Sequence, residues 1–271
     1  MRAGAAVLGF AVLAVIGHAA IRPAQPLPTP RLFVLDCGTL AGRNLKTYGL
    51  PDEPRDMSVA CALVVDGGRT LLWETGLGDR FAGGKETPRD RGWRVGRTLR
   101  SQLAEIGVDP GAITYLAISH MHADHTGNAN DYAAATWLVQ EPEREFAFRQ
   151  GQDTSSYRAL VDSRTTVLHG DHDVFGDGVA TLLSTPGHTP GHQSLLVKLP
   201  RTGAILLTGD LYHYPEERAA KTFPSFEMDR AKTAGSRAAV EALVERTHAR
   251  VWIEHDILGY GRLKKAPEHY D

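Results

Sequence analysis

The sequence predicts a layered α/β fold with mixed sheets, and three observations carry that prediction. Short strand-like runs, many bounded by Gly, Pro or Asp, recur along the chain. Two stretches of helical periodicity stand among them. The glycine turns "DGGR" and "FGDG" mark hairpins, so many strands are expected to be antiparallel. At 271 residues and 42% apolar side chains, the chain suits one large domain, or at most two, with a sizeable core.

The chain opens on Arg2 and a small-apolar stretch from Ala5 to Ile16, followed by Gly17-His18-Ala19, which offers small residues at the minus-three and minus-one positions of a cleavage site. This predicts a secretory signal peptide over residues 1–20. The apolar stretch is shorter than the ~20 residues a spanning helix needs, so no stable membrane anchor is expected after cleavage. The segment "IRPAQPLPTP", residues 21–30, holds four prolines without periodicity and reads as a linker. The folded domain is expected over 31–271, in the periplasm or secreted. In that oxidising compartment Cys37 and Cys61 can pair if their strands are neighbours.

Strands are expected at Leu32–Asp36, Val59–Val65, Thr70–Glu74, Thr114–Ile118, Thr136–Val139 and Thr165–His169. Further strands are expected at Ala180–Ser184, His192–Lys198, Ala204–Thr208 and Val251–Glu254. One helix is expected over Trp93–Ile106, with Val95, Leu99, Leu103 and Ile106 on one stripe. The other covers Arg230–Thr247, with Asp229 as N-cap and Ala239, Leu243 and Val244 on its inner face. Net charge is −2, from 30 basic and 32 acidic residues without a block of either sign. Nothing there provides an electrostatic footprint for nucleic acid, and a small, neutral or weakly charged substrate is expected instead.

The chemistry concentrates in "ISHMHADHTGNAN", residues 118–130, where His120, His122, Asp124 and His125 follow a buried strand. In α/β proteins ligand groups gather beyond the carboxyl ends of strands. Neutral imidazoles and carboxylates suit zinc or a similar divalent ion. A tight turn can direct His120 and His122 to one ion and Asp124 and His125 to another. A lone histidine at a strand end is usually an ordinary hydrogen-bonded residue. Here three further candidates each follow their own strand or turn: His188 in "STPGHTPGH", Asp210 in "LLTGDLYHY" and His255 in "VWIEHD".

These motifs, in this order and spacing, resemble the metallo-β-lactamase superfamily over roughly Arg31 to the C-terminus. The resemblance implies an αββα sandwich of two mixed β-sheets flanked by helices, with the metals in a cleft along one sheet edge. It also implies that His120, His122 and His188 hold one metal, that Asp124, His125 and His255 hold the second, and that Asp210 bridges both. Two divalent ions, zinc by ligand type, would share a hydroxide whose formation near neutral pH follows from metal coordination and which attacks the substrate carbonyl. The penicillin-degrading branches carry Cys or Ser where this chain has Asp210. Together with "FVLDCGTL", "WETGLGD" and the run from "GDLYHYPEER" to "WIEHD", this makes the chain most similar to the N-acyl-homoserine lactonases.

Two departures accompany that resemblance. Lactonases of this type place a tyrosine three residues after the bridging aspartate to contact the substrate carbonyl; this chain has His213 there, with Tyr212 beside it. Tyr212 or His213 is therefore the candidate donor to the developing oxyanion, and the expectation is that His213 faces the cleft and Tyr212 packs behind it, since neighbours in an extended loop point to opposite sides. Asp124 or Asp210 would pass a proton to the leaving alkoxide. The second departure is Glu74-Thr75-Gly76 in place of the superfamily's Asp-Thr-Gly, one methylene longer behind the ligands. Tyr212, Tyr214, Phe223 and Phe226, with the early loop "AGRNLKTYGLPDEPRDM", are candidates for an acyl-chain groove.

The expected function is therefore opening of a lactone ester, most of all an N-acyl-homoserine lactone, with a small-molecule ester as the alternative substrate. Two rivals make distinct demands. A thioester hydrolase of the glyoxalase kind needs a cationic clamp, for which Lys264 and Lys265 are the candidates. A non-catalytic metal-binding module is expected to have lost a ligand, and all seven candidates are present.

Overall fold

The computed structural model describes residues 30–84 and 92–271, together with Met1. Apart from Met1 and Pro30, the expected signal peptide and proline-rich linker lie outside the described residues. One sheet contains β1 (Arg31–Asn44), β2 (Pro54–Asp66), β3 (Arg69–Trp73), β4 (Trp93–Arg94), β5 (Tyr115–Ala117), β6 (Thr136–Gln140) and β7 (Thr165–Leu168), in the order β4-β1-β2-β3-β5-β6-β7. The second contains β8 (His172–Asp173), β9 (Ala180–Ser184), β10 (Gln193–Leu199), β11 (Gly203–Leu207) and β12 (Arg250–Trp252), in the order β12-β11-β10-β9-β8. Both are mixed: β1, β2 and β3 pair antiparallel and β3, β5, β6 and β7 parallel, while β11 pairs parallel with β12 and antiparallel with β10.

The period of two along each strand sorts side chains into layers. On β2, Ala62 and Val64 join Leu71, Trp73 and Leu138 of the same sheet against Leu182, Leu195, Val197 and Ile205 of the other, and this is the inter-sheet core. Their neighbours Cys61, Leu63 and Val65 face the opposite way, onto Leu99 and Leu103 of α1 (Leu99–Glu105). On the far side Leu183, Leu196 and Leu206 pack against Val240 and Leu243 of α4 (Arg230–Thr247). The result is helix, sheet, sheet, helix: the αββα sandwich. Burying each of the large aliphatic side chains contributes roughly 1.5–3 kcal/mol, and a one-residue slip in any strand would exchange the two layers.

The hairpin at "DGGR" joins β2 to β3, with Gly67 and Gly68 both at positive φ, and "FGDG" lies between the antiparallel β8 and β9. The helix expected over Trp93–Ile106 begins only at Leu99. Thr98 caps it by accepting the Ser101 N–H at 3.1 Å, while Trp93 and Arg94 pair with Leu40 and Thr39 as β4. In α4 the Asp229 cap forms as expected, accepting the Lys232 N–H at 3.0 Å, but Ala239 is exposed. Leu243 and Val244 pack on the sheet as expected, with Val240 beside them, while Thr233, Ser236 and Arg237 carry the buried face of the N-terminal half, which packs on polar loops rather than on the sheet. Between these helices lie α2 (Glu141–Ala147) and α3 (Pro215–Ala220), with α5 (Ile257–Gly261) near the C-terminus. Several strands end earlier than expected, at Trp73, Ala117, Leu207 and Trp252, where the chain turns out of the sheets toward one shared edge.

Cys37 and Cys61 are disulfide-bonded across the β1–β2 pair, with Cα atoms 5.7 Å apart and a sequence separation of 24. Closing a loop of that length stabilises a fold by about 3 kcal/mol, chiefly through the unfolded chain. Replacing both cysteines by alanine should shift the urea unfolding curve by that order. An unchanged midpoint would show that strand pairing alone does the work of the cross-link.

Candidate metal centre

Four turns that leave the sheets at the shared edge deliver the cluster. The turn after β5 carries His120, His122, Asp124 and His125; the β9–β10 loop carries His188; the turns after β11 and β12 carry Asp210 and His255. Two of these turns depend on glycine. Gly209 sits at φ 51° with Ser119 Cβ only 2.5 Å from where its own Cβ would be, and Gly187 at φ 141° leaves 2.1 Å to Thr233 Oγ1. Neither position admits a side chain without moving its neighbours, so the residues directly before Asp210 and His188 are fixed by space as well as by φ. The buried Glu143 ties two of the turns together: it accepts N–H groups from Met121 at 2.8 Å and Gly191 at 3.0 Å and the Thr189 hydroxyl at 2.7 Å.

The seven predicted ligands converge in two sets. In the first, His120 Nε2 and His188 Nε2 lie 2.8 and 3.2 Å from His122 Nδ1, and 3.6 and 3.3 Å from Asp210 Oδ2. In the second, His125 Nε2 and His255 Nε2 lie 3.4 and 3.0 Å from Asp210 Oδ1, and 3.8 and 3.9 Å from the Asp124 carboxylate. Asp210 thus offers one oxygen to each set. Donors spread tetrahedrally around a zinc-sized ion at ~2.0–2.2 Å lie roughly 3.3–3.6 Å from one another, close to most of these separations. His125 Nε2 and Asp210 Oδ1 are moreover buried without a hydrogen-bond partner, a cost that a shared cation removes. The residues fit divalent ions.

The other nitrogen of most of these rings is already held. His120 Nδ1 meets Ser119 Oγ at 2.9 Å, His188 Nδ1 meets Glu227 Oε2 at 3.3 Å, and His255 Nδ1 donates to the Ser58 carbonyl at 2.8 Å. His125 Nδ1 faces two carboxylates, Glu74 Oε2 at 3.4 Å and Glu254 Oε1 at 3.5 Å. These contacts leave Nε2 of all four rings aimed inward, the usual way an outer partner fixes the orientation of a ligating imidazole. The extra methylene of Glu74 is spent here: its Oε1 accepts the Ser119 N–H at 2.9 Å while Oε2 reaches His125.

The electrostatics of the two ligand sets differ. Burial, reinforced by neighbouring imidazoles, holds His120 and His188 well below the ordinary histidine value, and His122 is lowered for the same first reason, so these rings stay neutral and able to ligate. Burial opposes ionisation of Asp210, but the surrounding imidazoles prevail and hold it well below the usual carboxylate range. Burial likewise opposes charge on His125, yet Glu254, Asp210, Asp124 and Glu74 push it well up, while burial raises Glu254 far above its ordinary value.

A cavity of about 210 Å³ opens onto the cluster, lined by His122, Asp124, Asp210 and His255 and walled by Tyr48, Met57, His213 and Phe226. His213 reaches it, with Nε2 3.1 Å from Asp210 Oδ2 and Nδ1 3.1 Å from Glu217 Oε2. Burial works against its charge, but these two carboxylates push it up to about 10. Tyr212 is not brought to the cluster. Its hydroxyl donates to Glu241 Oε1 at 2.8 Å and Arg237 lies over its ring, so the phenol considered a carbonyl contact on sequence grounds packs on the opposite side. The aromatic groove expected from the 212–226 segment is likewise divided. Phe226 lines the metal cavity, whereas Tyr212 and Phe223 line a separate one of about 640 Å³ that contains none of the ligands. Lys264 and Lys265 line neither cavity; the Lys265 ammonium is bound to the carbonyls of Tyr260 and Leu263.

Sequence reasoning missed the residues behind the ligands: Glu143, Glu217, Glu227, Glu254 and Ser119. Glu217 had a signal, four residues after His213 in the first turn of a helix. Glu227 had none, since it meets His188 only because two loops pack together.

The family model for the metallo-beta-lactamase superfamily matches residues 54–255. The N-acyl homoserine lactonase AttM of Azorhizobium caulinodans is 36% identical over 180 residues, 63% of this chain and 68% of that protein. An N-acyl homoserine lactonase of a Bacillus species is 29% identical over 234 residues, 81% of this chain and 89% of its own. Among solved structures, an N-acyl homoserine lactone hydrolase superposes with a TM-score of 0.76 at 23% identity, over 89% of this chain and 98% of that one, a likeness of fold.

Glu217 and Arg237 form a buried ion pair behind His213. Arg237→Met removes the cation and leaves the carboxylate with His213 alone, and breaking such a pair from one side costs about 3–5 kcal/mol. Urea denaturation of the variant should show a loss of that order. A loss confined to a few tenths would mean that His213 alone compensates Glu217.

Proposed function

The chain belongs to the metallo-β-lactamase superfamily, and from that premise we propose that it is a metal-dependent hydrolase that opens the lactone ester of N-acyl-homoserine lactones. The observation that carries the reading is Asp210, which turns one carboxylate oxygen to each of two ligand sets at the floor of a small cavity. The substrate class is supported by the 36% identity to an N-acyl homoserine lactonase. Two divalent ions per chain, zinc by ligand type, are part of the proposal: His120, His122 and His188 hold one, Asp124, His125 and His255 the other, and Asp210 both.

Such ions, when bound, supply water activation and polarisation of the ester carbonyl. The protein's own groups do the rest. Glu74, Glu227, Glu254 and the Ser58 carbonyl keep the ligating rings in one orientation. His213 faces Asp210 Oδ2 and fixes the plane of its carboxylate. Asp124, with 21% of its side chain accessible against 5% for Asp210, is the carboxylate open to the cavity. It is placed to take a proton from the attacking water and pass it to the alkoxide as the acyl C–O bond breaks, so that the products are the ring-opened hydroxy acid and the carboxylate is left as it began. No serine or cysteine nucleophile is required.

Metal-replete protein assayed on acyl-homoserine lactones, aryl esters, a glutathione thioester and a β-lactam should prefer the lactones. It should contain two metal equivalents, and Asp210→Ala should lower both the metal content and the turnover, the latter by orders of magnitude. Metal saturation at one equivalent would refute the dinuclear proposal, and preference for the thioester would refute the substrate class.

We also propose that the protein is exported. The charged and apolar pattern of residues 2–16 supports this, as does the Cys37–Cys61 disulfide, a bond that persists in oxidising compartments. Expressed in full in a Gram-negative host, it should be recovered from the periplasm without roughly its first twenty residues; an intact cytoplasmic chain would contradict the export proposal.

A further inference from the structure

Of the described residues that line the metal cavity, Tyr48, Met57, His213 and Phe226 are not candidate ligands, and only two of these carry a hydrogen-bond donor. His213 is committed, since each of its ring nitrogens faces a carboxylate at 3.1 Å. Tyr48 is not: its hydroxyl donates to Met57 Sδ at 3.4 Å, and a thioether is a weak acceptor that a carbonyl oxygen readily displaces. We infer, resting on the lactonase reading above, that the Tyr48 hydroxyl is the donor to the carbonyl oxygen of the bound ester and strengthens that bond as charge develops there.

The surroundings of Tyr48 suit the task. It ends a short turn, Leu45–Tyr48, that is tied to the opposite wall: Ser225 N donates to the Thr47 carbonyl at 2.7 Å and the Thr222 hydroxyl to the Tyr48 carbonyl at 3.0 Å. Gly49 closes the turn at φ 73°, where an added Cβ would come within 2.9 Å of Thr222 Cβ. The ring is held at 4.8 Å from His213, 5.1 Å from Tyr214 and 5.7 Å from Phe226. A donor fixed before substrate arrives costs no reorganisation during the reaction, the condition under which oxyanion donors are most effective. Burial first, then the nearby Tyr214, Asp210 and Asp124, raise the phenol above its ordinary value, so it remains a neutral donor across the working range. Among the described residues no other phenol lines the cavity: Tyr212 is bound to Glu241, and Tyr214 packs edge-on against Tyr48.

The test is Tyr48→Phe, which keeps the ring and its packing, compared with wild type over a series of acyl-homoserine lactones of increasing chain length. The expected result is a fall in kcat of about 10- to 1000-fold, similar at every chain length, with KM, metal content and unfolding midpoint near those of wild type. A role in packing the acyl chain would instead move KM, and increasingly so with chain length. An active wild type with an unchanged kcat in Tyr48→Phe overturns the Tyr48 assignment and leaves the lactonase reading standing; a damaging Tyr212→Phe beside a silent Tyr48→Phe overturns it in favour of the other phenol. If wild type is inert on lactones but cleaves another ester of the panel, the lactonase reading fails alone, and the same kcat comparison on that ester decides the role of Tyr48.

Discussion

One buried carboxylate sets the terms for the rest of the molecule. Asp210 is only 4% exposed and yet ionised, and a charge in such a place is tolerable only when surrounded by partners. Its two oxygens meet His120, His188 and His213 on one side and His125 and His255 on the other. The backbone obeys the same constraint: Gly209 must take a left-handed conformation against Ser119, and the Asp210 N–H is accepted by His192 Nε2 at 3.0 Å. His192 is a histidine kept out of the ligand set, lowered by burial and by its imidazole neighbours to about 3, and serves as a neutral acceptor.

Around that centre stands a second ring of acids. Glu74 and Glu254 back His125, Glu227 backs His188, and Glu217 backs His213. Each is buried or nearly so, and each would be costly without its histidine. The order outward from the centre is carboxylate, imidazole, carboxylate, and across His125 two of the outer acids, Glu74 and Glu254, face the same ring. There burial and mutual repulsion raise Glu254 far above its ordinary value. A divalent cation bound on the His125 side would relieve this crowding.

The sandwich is what makes such a cluster affordable to build. Ligands arrive from β5, β11 and β12 and from the β9–β10 loop, elements of both sheets, and the inter-sheet core of Trp73, Leu138, Leu182 and Leu195 holds those strand ends at fixed separation. The cavity walls come from elsewhere. The Leu45–Tyr48 turn and the 222–226 loop are joined to each other by the Ser225 N–H on the Thr47 carbonyl and the Thr222 hydroxyl on the Tyr48 carbonyl, so these two walls are held together independently of the ligand-bearing strands.

The sequence by itself singled out the seven residues that the fold brings together, because imidazoles and carboxylates recur just past apolar strands, and it determined the layers, because alternation along strands such as "SVACALVV" dictates which face each residue takes. It also placed Asp229 at the start of α4 through its cap chemistry. It did not determine the helix start at Leu99, where a two-residue strand competed with helical periodicity, nor the burial of α4, whose inner face is polar in its first half. Only the tertiary structure decided that Asp210 divides its oxygens between two sets, that Glu227 and Glu254 stand behind histidines distant in sequence or facing away from their own neighbours, and that Tyr48 rather than Tyr212 shares the cavity with the ligands. The physical reason is the same in each case. Local propensity and periodicity fix which way a side chain leaves its own strand or helix, but which groups meet depends on how separate loops pack over one edge, and that information is carried by no single stretch of chain.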